Sequence, residues 1–297
     1  MVLSKRLALV VLSFGLAAPA MAAEDWHQQV ANGLGKLGSE MPGGVYRVSL
    51  PRTDLKVALD GVELKPAFAL GSWLAFKKVG DHVVVMGDLV LTDTEINPVM
   101  KHLVANGIGI TAIHNHLLRA SPNTMYMHVH GHGDPGQLAA TFREALAASK
   151  TAISGAAAGN PAAEEKIDLD TTAIDRTLGR SGKISGGVYQ VSIPRAEAIT
   201  DGGMEVPEPM GSAIAINFQP TGGGKAAITG DFVLTAEEVN PVLRTLRENG
   251  IEVTALHNHM LGDQPRLFFM HFWANNEASK LANGLAAALD KVKIARS

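Results

Sequence analysis

Residues 111–116 read Thr-Ala-Ile-His-Asn-His, and residues 254–259 read Thr-Ala-Leu-His-Asn-His. Each is followed by a proline and then a Met-His pair: Pro122 with Met127-His128, and Pro265 with Met270-His271. His257 follows His114 by 143 positions, as His259 follows His116 and His271 follows His128. The chain is therefore a duplication, and whatever fold one half adopts the other repeats.

The match extends outward from these blocks. Gly43-Gly44-Val45-Tyr46 pairs with Gly186-Gly187-Val188-Tyr189, and Gly87-Asp88-Leu89-Val90-Leu91-Thr92 with Gly230-Asp231-Phe232-Val233-Leu234-Thr235. Asn97-Pro98 pairs with Asn240-Pro241, and Asn106-Gly107-Ile108 with Asn249-Gly250-Ile251. An Ala- and Gly-rich run with Asn160-Pro161 reads as a linker. The expected organisation is a repeat unit over 23–150, a linker over 151–166 and a second unit over 167–297.

Each unit reads alike. Helices are expected at Asp25 to Leu37 and Thr171 to Leu178, then strands at Val45 to Leu50 and Val188 to Ile193. Further strands span Trp73 to Phe76 and Val83 to Leu91, and Ala213 to Phe218 and Ala226 to Leu234. Asp60-Gly61 marks a tight hairpin. Thr92 with Glu95, and Thr235 with Glu238, have capping-box spacing. The helices that follow run to the Asn-Gly stops, with Pro98 and Pro241 suggesting a start there instead. A histidine hairpin and a last helix close each unit. This order predicts an α+β fold: two tandem pseudo-symmetric units, each a largely antiparallel sheet with helices on one face. The two repeats are expected to pack on each other about a pseudo-twofold axis.

Residues 1–22 read as a signal peptide, with Lys5 and Arg6 before an apolar run and Ala20-Met21-Ala22 as the cleavage pattern. The mature protein is then expected to be soluble and periplasmic or secreted, and not membrane-spanning. The absence of cysteine excludes disulfides, thiolate ligands and a cysteine nucleophile. A net charge of −3 without a basic run gives no support for nucleic-acid binding.

Eight of the eleven histidines lie in the repeated hairpins. Histidine is a common metal ligand and proton carrier. Alternation places His114 and His116 on one face, and His128, His130 and His132 on one face of the next strand. A hairpin with Pro122 at its apex would set His116 opposite His128 and His114 opposite His130. The expected metal ligands are His114, His116, His128 and His130, with His132 in reserve, and in the second copy His257, His259 and His271. Trp273 stands there in place of His130 and Asn275 in place of His132. Imidazole ligands without sulfur suit Zn²⁺ or another divalent ion.

Met125 and Met127 alternate away from the histidines and read as core. Asp88 and Asp231 are candidate inward carboxylates that orient histidines, or bulge residues. Arg52 and Arg195 read as turn arginines or as clamps for an anion. Asn115 and Asn258 read as satisfying local backbone. His27, His82 and His102 have no repeat partner and read as surface or satisfied histidines.

In the Gly-Asp-(Leu/Phe)-Val-Leu-Thr, Asn-Pro-Val, Asn-Gly-Ile and Thr-Ala-(Ile/Leu)-His-Asn-His blocks the chain resembles the LppY/LpqO-like family, a tandem domain of unknown function named for mycobacterial lipoproteins. The resemblance implies export and tandem organisation but no reaction. The chain differs from the lipoproteins in having no cysteine to acylate.

Three functions fit these residues. One is metal binding at a histidine cluster in each repeat, with a metal ion or small ligand as partner. The second is a metal-dependent hydrolase, although His-Glu-x-x-His and Gly-x-Ser-x-Gly signatures are lacking. The third is a module binding cell-wall sugar or peptide through Trp73, Trp273, Tyr126 and the arginines.

Overall fold

The computed structural model describes residues 25–153 and 166–295. The signal-peptide reading lies outside the described residues, as does most of the linker.

Unit one contains strands β1 (Ser39–Met41), β2 (Val45–Pro51), β3 (Gly71–Val79), β4 (His82–Leu91), β5 (Gly109–His114) and β6 (Met125–Gly133). Unit two repeats them as β7 (Lys183–Ser185), β8 (Val188–Ile193), β9 (Ile214–Gly222), β10 (Lys225–Leu234), β11 (Glu252–His257) and β12 (Phe268–Glu277). The strand order is β1-β2-β3-β4-β6-β5 in the first sheet and β7-β8-β9-β10-β12-β11 in the second. Every pairing within these two sheets is antiparallel.

Helices cover one face of each sheet: α1 (Trp26–Leu34), α2 (Asp93–Ala105) and α3 (Pro135–Leu146) in unit one, and α4 (Thr171–Leu178), α5 (Ala236–Glu248) and α6 (Ala278–Leu289) in unit two. The α+β class and the tandem pseudo-symmetric units are as expected. Alternation sets the layers. Val83, Val85 and Leu89 of β4 and Met127 and Val129 of β6 pack under Val30, Leu103 and Phe142 of the helices. The intervening residues point to the opposite face, towards the other unit. There Ala75 and Met86 join the core of unit two, and Val90 and Tyr126 join Val188, Ala227 and Trp273.

The two sheets therefore meet through the faces their helices leave open. Hydrogen bonds also tie the second sheet to the segment 63–67 of unit one: the Lys65 amide donates to Gln219 Oε1 at 2.9 Å, Gln219 Nε2 to the Glu63 carbonyl at 2.8 Å, and Gln190 Nε2 to the Ala67 carbonyl at 2.9 Å. Among the described residues, no helix is long and apolar enough to cross a membrane.

Both capping glutamates reach back to the N-cap amide: Thr92 N–H donates to Glu95 Oε2 at 2.9 Å and Thr235 N–H to Glu238 Oε2 at 2.8 Å. The helices start there and continue through Pro98 and Pro241. The amide bond that Pro98 forgoes would have gone to the Thr94 carbonyl, on the exposed side of the helix, so the break is tolerated. Asp60-Gly61 turns a short hairpin with both φ values positive.

Arg52 and Arg195 are corrected. Neither lies in a solvated turn, and both guanidinium groups are taken up by internal partners. Arg52 is 0 % exposed and bonds both oxygens of Glu95, at 2.8 and 3.1 Å, and the Val90 carbonyl at 2.7 Å. Arg195 repeats this with Glu238 and Val233. Each capping glutamate thus also neutralises a buried guanidinium, and a charge taken from water needs such pairing.

Candidate metal centre

The hairpin register differs from the one expected. His114 lies opposite Tyr126, and Ala112 opposite His128. His130 pairs with Gly109 instead of His114. In the second copy His257 lies opposite Phe269, and Ala255 opposite His271. One register does serve both copies, as expected. The displacement at the histidine end is even, so His114 and His128 keep a common face. β5 ends at His114, so His116 lies in the connection beyond it.

The clusters also lie elsewhere than expected. The histidines of each hairpin meet those of the other unit, and there is one centre between the sheets in place of two. Ring centroids are 3.4 Å apart for His114 and His257, 3.7 Å for His116 and His271, and 3.8 Å for His128 and His259. Each of these pairs takes one ring from each unit. His130 stands two residues further along β6, beside Met86, and is in none of the groups placed to hold a metal. His132 is exposed and touches His82.

The backbone orients the rings. His114 Nδ1 is 3.0 Å from the Asn115 carbonyl, and His257 Nδ1 3.0 Å from the Asn258 carbonyl. His271 Nδ1 is 2.9 Å from the Gly230 carbonyl, and the Gly87 carbonyl holds the His128 ring in the equivalent way. A carbonyl only accepts, so each of these Nδ1 atoms carries the proton and Nε2 keeps its lone pair. The Nε2 atoms of all six histidines are buried and have no hydrogen-bond partner among the described residues. Six such orphans in one place call for a ligand.

Burial holds the rings neutral. It lowers His114 to about 4 and His257 to about 3. His116, His128, His259 and His271 are pushed well below the usual range, first by burial and then by their neighbouring imidazoles. Neutral imidazole is the metal-binding form.

Asp88 and Asp231 complete the centre. Asp88 faces His128 across β4 and β6, and its Oδ2 is 3.7 Å from His116 Nε2. Asp231 groups with His259 and His271. Burial raises Asp231 to about 7 and holds Asp88 well above the carboxylate range, with the charge of Asp231 adding to the effect. The glycine before each aspartate is required by close approach of the neighbouring strand. A Cβ on Gly230 would lie 1.8 Å from the Ala215 carbonyl oxygen, and one on Gly87 2.7 Å from the Trp73 carbonyl oxygen.

Asn115 and Asn258 do more than satisfy local backbone. Asn115 Nδ2 donates to the Thr254 carbonyl at 3.1 Å, and Asn258 Nδ2 to the Thr111 carbonyl at 3.0 Å. Thr111 and Thr254 sit where β5 and β11 slip register against β6 and β12. Such irregularities free a carbonyl from its own ladder. The middle residue of each His-Asn-His thus locks onto the other unit. Sequence reading missed this because nothing in one strand shows which backbone group its partner leaves free.

Several other candidates are engaged elsewhere. Trp273 Nε1 donates to Asp60 Oδ2 at 3.0 Å, and its ring packs edge-on to Phe68. Tyr126 donates to the Ala69 carbonyl at 2.6 Å and stacks on His116. Arg47 lies over Trp73, 4.1 Å from the ring centre. Met127 is core, as expected. His27 contacts Asp25 and Glu40, and His102 contacts Glu144.

A family model described as a domain of unknown function, DUF1259, matches residues 28–148 and 172–291, once in each repeat. The chain belongs to that family, in tandem form. No curated protein matches. Among solved structures, a trimeric bacterial microcompartment shell protein, PduB, is similar at 10 % identity over 87 % of this chain and 96 % of that one. Its TM-score of 0.24 is too low to define a shared fold.

Proposed function

We propose that this tandem DUF1259 protein binds a divalent metal, zinc first among them, at the one histidine centre between its repeats. The observation that carries the reading is the convergence of six buried Nε2 lone pairs, without hydrogen-bond partners among the described residues. Four of the six rings are held by backbone carbonyls in the tautomer that offers this atom. That is the outer support metal-ligating histidines usually have. The donor set is imidazole and carboxylate without sulfur, which suits zinc and related borderline ions.

When bound, such an ion supplies Lewis acidity. The chain's residues fix the rings, exclude bulk water and keep the imidazoles unprotonated. Burial favours binding over turnover. His114, His128 and His271 are 8 %, 4 % and 3 % exposed. A depression of about 400 Å³ lies away from them, between Leu34, Arg143 and Ile153 on the helical side of unit one. The sugar- or peptide-binding reading loses support because Tyr126, Trp273, Arg52 and Arg195 are all engaged within the protein.

The same proposal places the protein outside the cytoplasm, as a non-acylated counterpart of the LppY/LpqO-like lipoproteins. An intact mass beginning at Ala23 or Glu24 supports export, and a retained Met1 rejects it.

Elemental analysis of the native full-length protein tests the metal reading, together with Zn²⁺ titration after chelator treatment. Stoichiometric zinc or a related divalent ion is expected. Protein that carries no metal and takes up none rejects it.

A further inference from the structure

The six histidines divide into two triads related by the repeat, and neither triad belongs to one unit. His114, His116 and His271 offer ligand atoms within 4.8 Å of one another. Their counterparts, His257, His259 and His128, lie within the same limit, in a set that also includes His114. Each triad takes two rings from one His-Asn-His and the third from the neighbouring unit's strand.

The carboxylates lie between the triads. Asp88 Oδ2 is 3.7 Å from His116 Nε2, in the first triad. Its Oδ1 is 4.0 Å from His128 Nε2, in the second, and is buried without a hydrogen-bond partner among the described residues. Asp231 groups with His259 and His271, again one ring from each triad. A carboxylate that turns one oxygen to each of two ligand sets has the geometry of a bridge.

The number of donors also exceeds what one ion needs. A four-coordinate ion uses about four ligands. Six imidazoles and two carboxylates supply about twice that, and a single ion would leave several buried polar groups unsatisfied at considerable cost. Two ions, each taking three imidazoles and one oxygen from each carboxylate, consume the whole set, at the five-coordination zinc also adopts. Two carboxylates also offset more of the charge of two divalent ions than imidazoles alone would.

Building on the metal-binding reading, we infer that the centre is dinuclear. One ion is held by His114, His116 and His271, the other by His257, His259 and His128, with Asp88 and Asp231 bridging them. Paired ions in such sites stand about 3.5–4 Å apart. Since each triad spans the interface, each ion fastens unit one to unit two.

Native mass spectrometry and Zn²⁺ titration of the full chain decide the number. Two zinc ions per chain are expected, falling to one when His116→Ala and His271→Ala are combined. One ion in the unaltered protein overturns the dinuclear inference and leaves the metal reading standing. No ion overturns both. Co²⁺ is the second probe, because two bridged cobalt ions couple magnetically. Coupling is expected in the Co²⁺-loaded protein and is expected to weaken in Asp88→Asn/Asp231→Asn. Two uncoupled ions in the unaltered protein overturn the bridging role of the aspartates.

Discussion

His114 stacks on His257 at 3.4 Å between ring centroids, with 21° between the planes. The two residues hold the same place in the two repeats, so a position meets its own copy, as residues near the axis of a symmetric dimer do. The flanking pairs, His116 with His271 and His128 with His259, are exchanged by the same operation. Duplication alone would give two sites. Facing the duplicates across an axis gives one.

Ligand choice separates this arrangement from a hairpin-by-hairpin one. His257→Ala and His271→Ala are each expected to weaken zinc binding by roughly 100-fold or more, since loss of an outer-shell partner alone costs about 10–100-fold. His130→Ala is expected to leave affinity unchanged. Calorimetric titration of the three variants checks this. Equal losses in all three would restore His130 to the site.

The Gly-Asp pair of the central strand should tolerate no added methyl at Gly230. The clash there is with backbone, the Ala215 carbonyl, which cannot rotate away. Gly230→Ala is expected to cost about 3 kcal/mol or more, at or above the upper end for overpacking. The cost of Gly87→Ala is expected to be smaller, because its contacts begin at 2.7 Å and include the Leu74 side chain. Urea unfolding of both variants tests the order.

Much of this was legible from period and repetition. The β4 run from Val83 to Leu91 and the capping pairs Thr92/Glu95 and Thr235/Glu238 follow local rules, and the elements lie close to where those rules put them. The register was not legible. It includes a slip at Thr111, whose carbonyl accepts from Asn258 of the other unit, and no local rule signals that contact. Arg52 was misread for a similar reason: its partner Glu95 is 43 residues away and already had a local role. The convergence of His116 on His271 is wholly tertiary and has no sequence signal beyond the repeat itself.

The buried Arg–Glu pairs are expected to be structural. Removing one partner leaves an uncompensated buried charge, so Glu95→Ala should destabilise the protein by about 3–5 kcal/mol. Asp54, which also pairs with Arg52, softens the loss. Zinc stoichiometry of the folded fraction should not change. A destabilisation under about 1 kcal/mol, the usual range for exposed pairs, would contradict the burial of this one.

The cross-unit asparagines are expected to act on stability through the interface. Asn115→Ala and Asn258→Ala each remove a bond to the other unit and leave a carbonyl short of its donor, at about 1 kcal/mol apiece. Thermal unfolding of the singles and the double measures it. Because the two bonds have no partner in common, the effects should be nearly additive. Strong non-additivity would mean that the two bonds form and break as one.

Acidity should weaken the metal-free protein. The folded-state values of the six centre histidines lie below 6.5, at about 4 for His114 and about 3 for His257. Between those values and 6.5 the unfolded chain binds protons that the folded chain refuses. Unfolding therefore takes up protons, and stability rises with pH across that window. Asp88 and Asp231 act in the opposite direction. Their raised folded values favour the fold at low pH, and for Asp231 the contribution fades as pH climbs towards about 7. Six imidazoles outweigh two carboxyls, so Tm of the metal-free protein should increase from about pH 5 to about pH 6.5. Zinc should steepen the increase, because protons compete with the metal for the same lone pairs. Replacing both His114 and His257 by Gln should flatten the metal-free curve. Calorimetric scans across that range decide the matter, and a Tm that falls with rising pH would mean that the imidazoles are not held neutral in the fold.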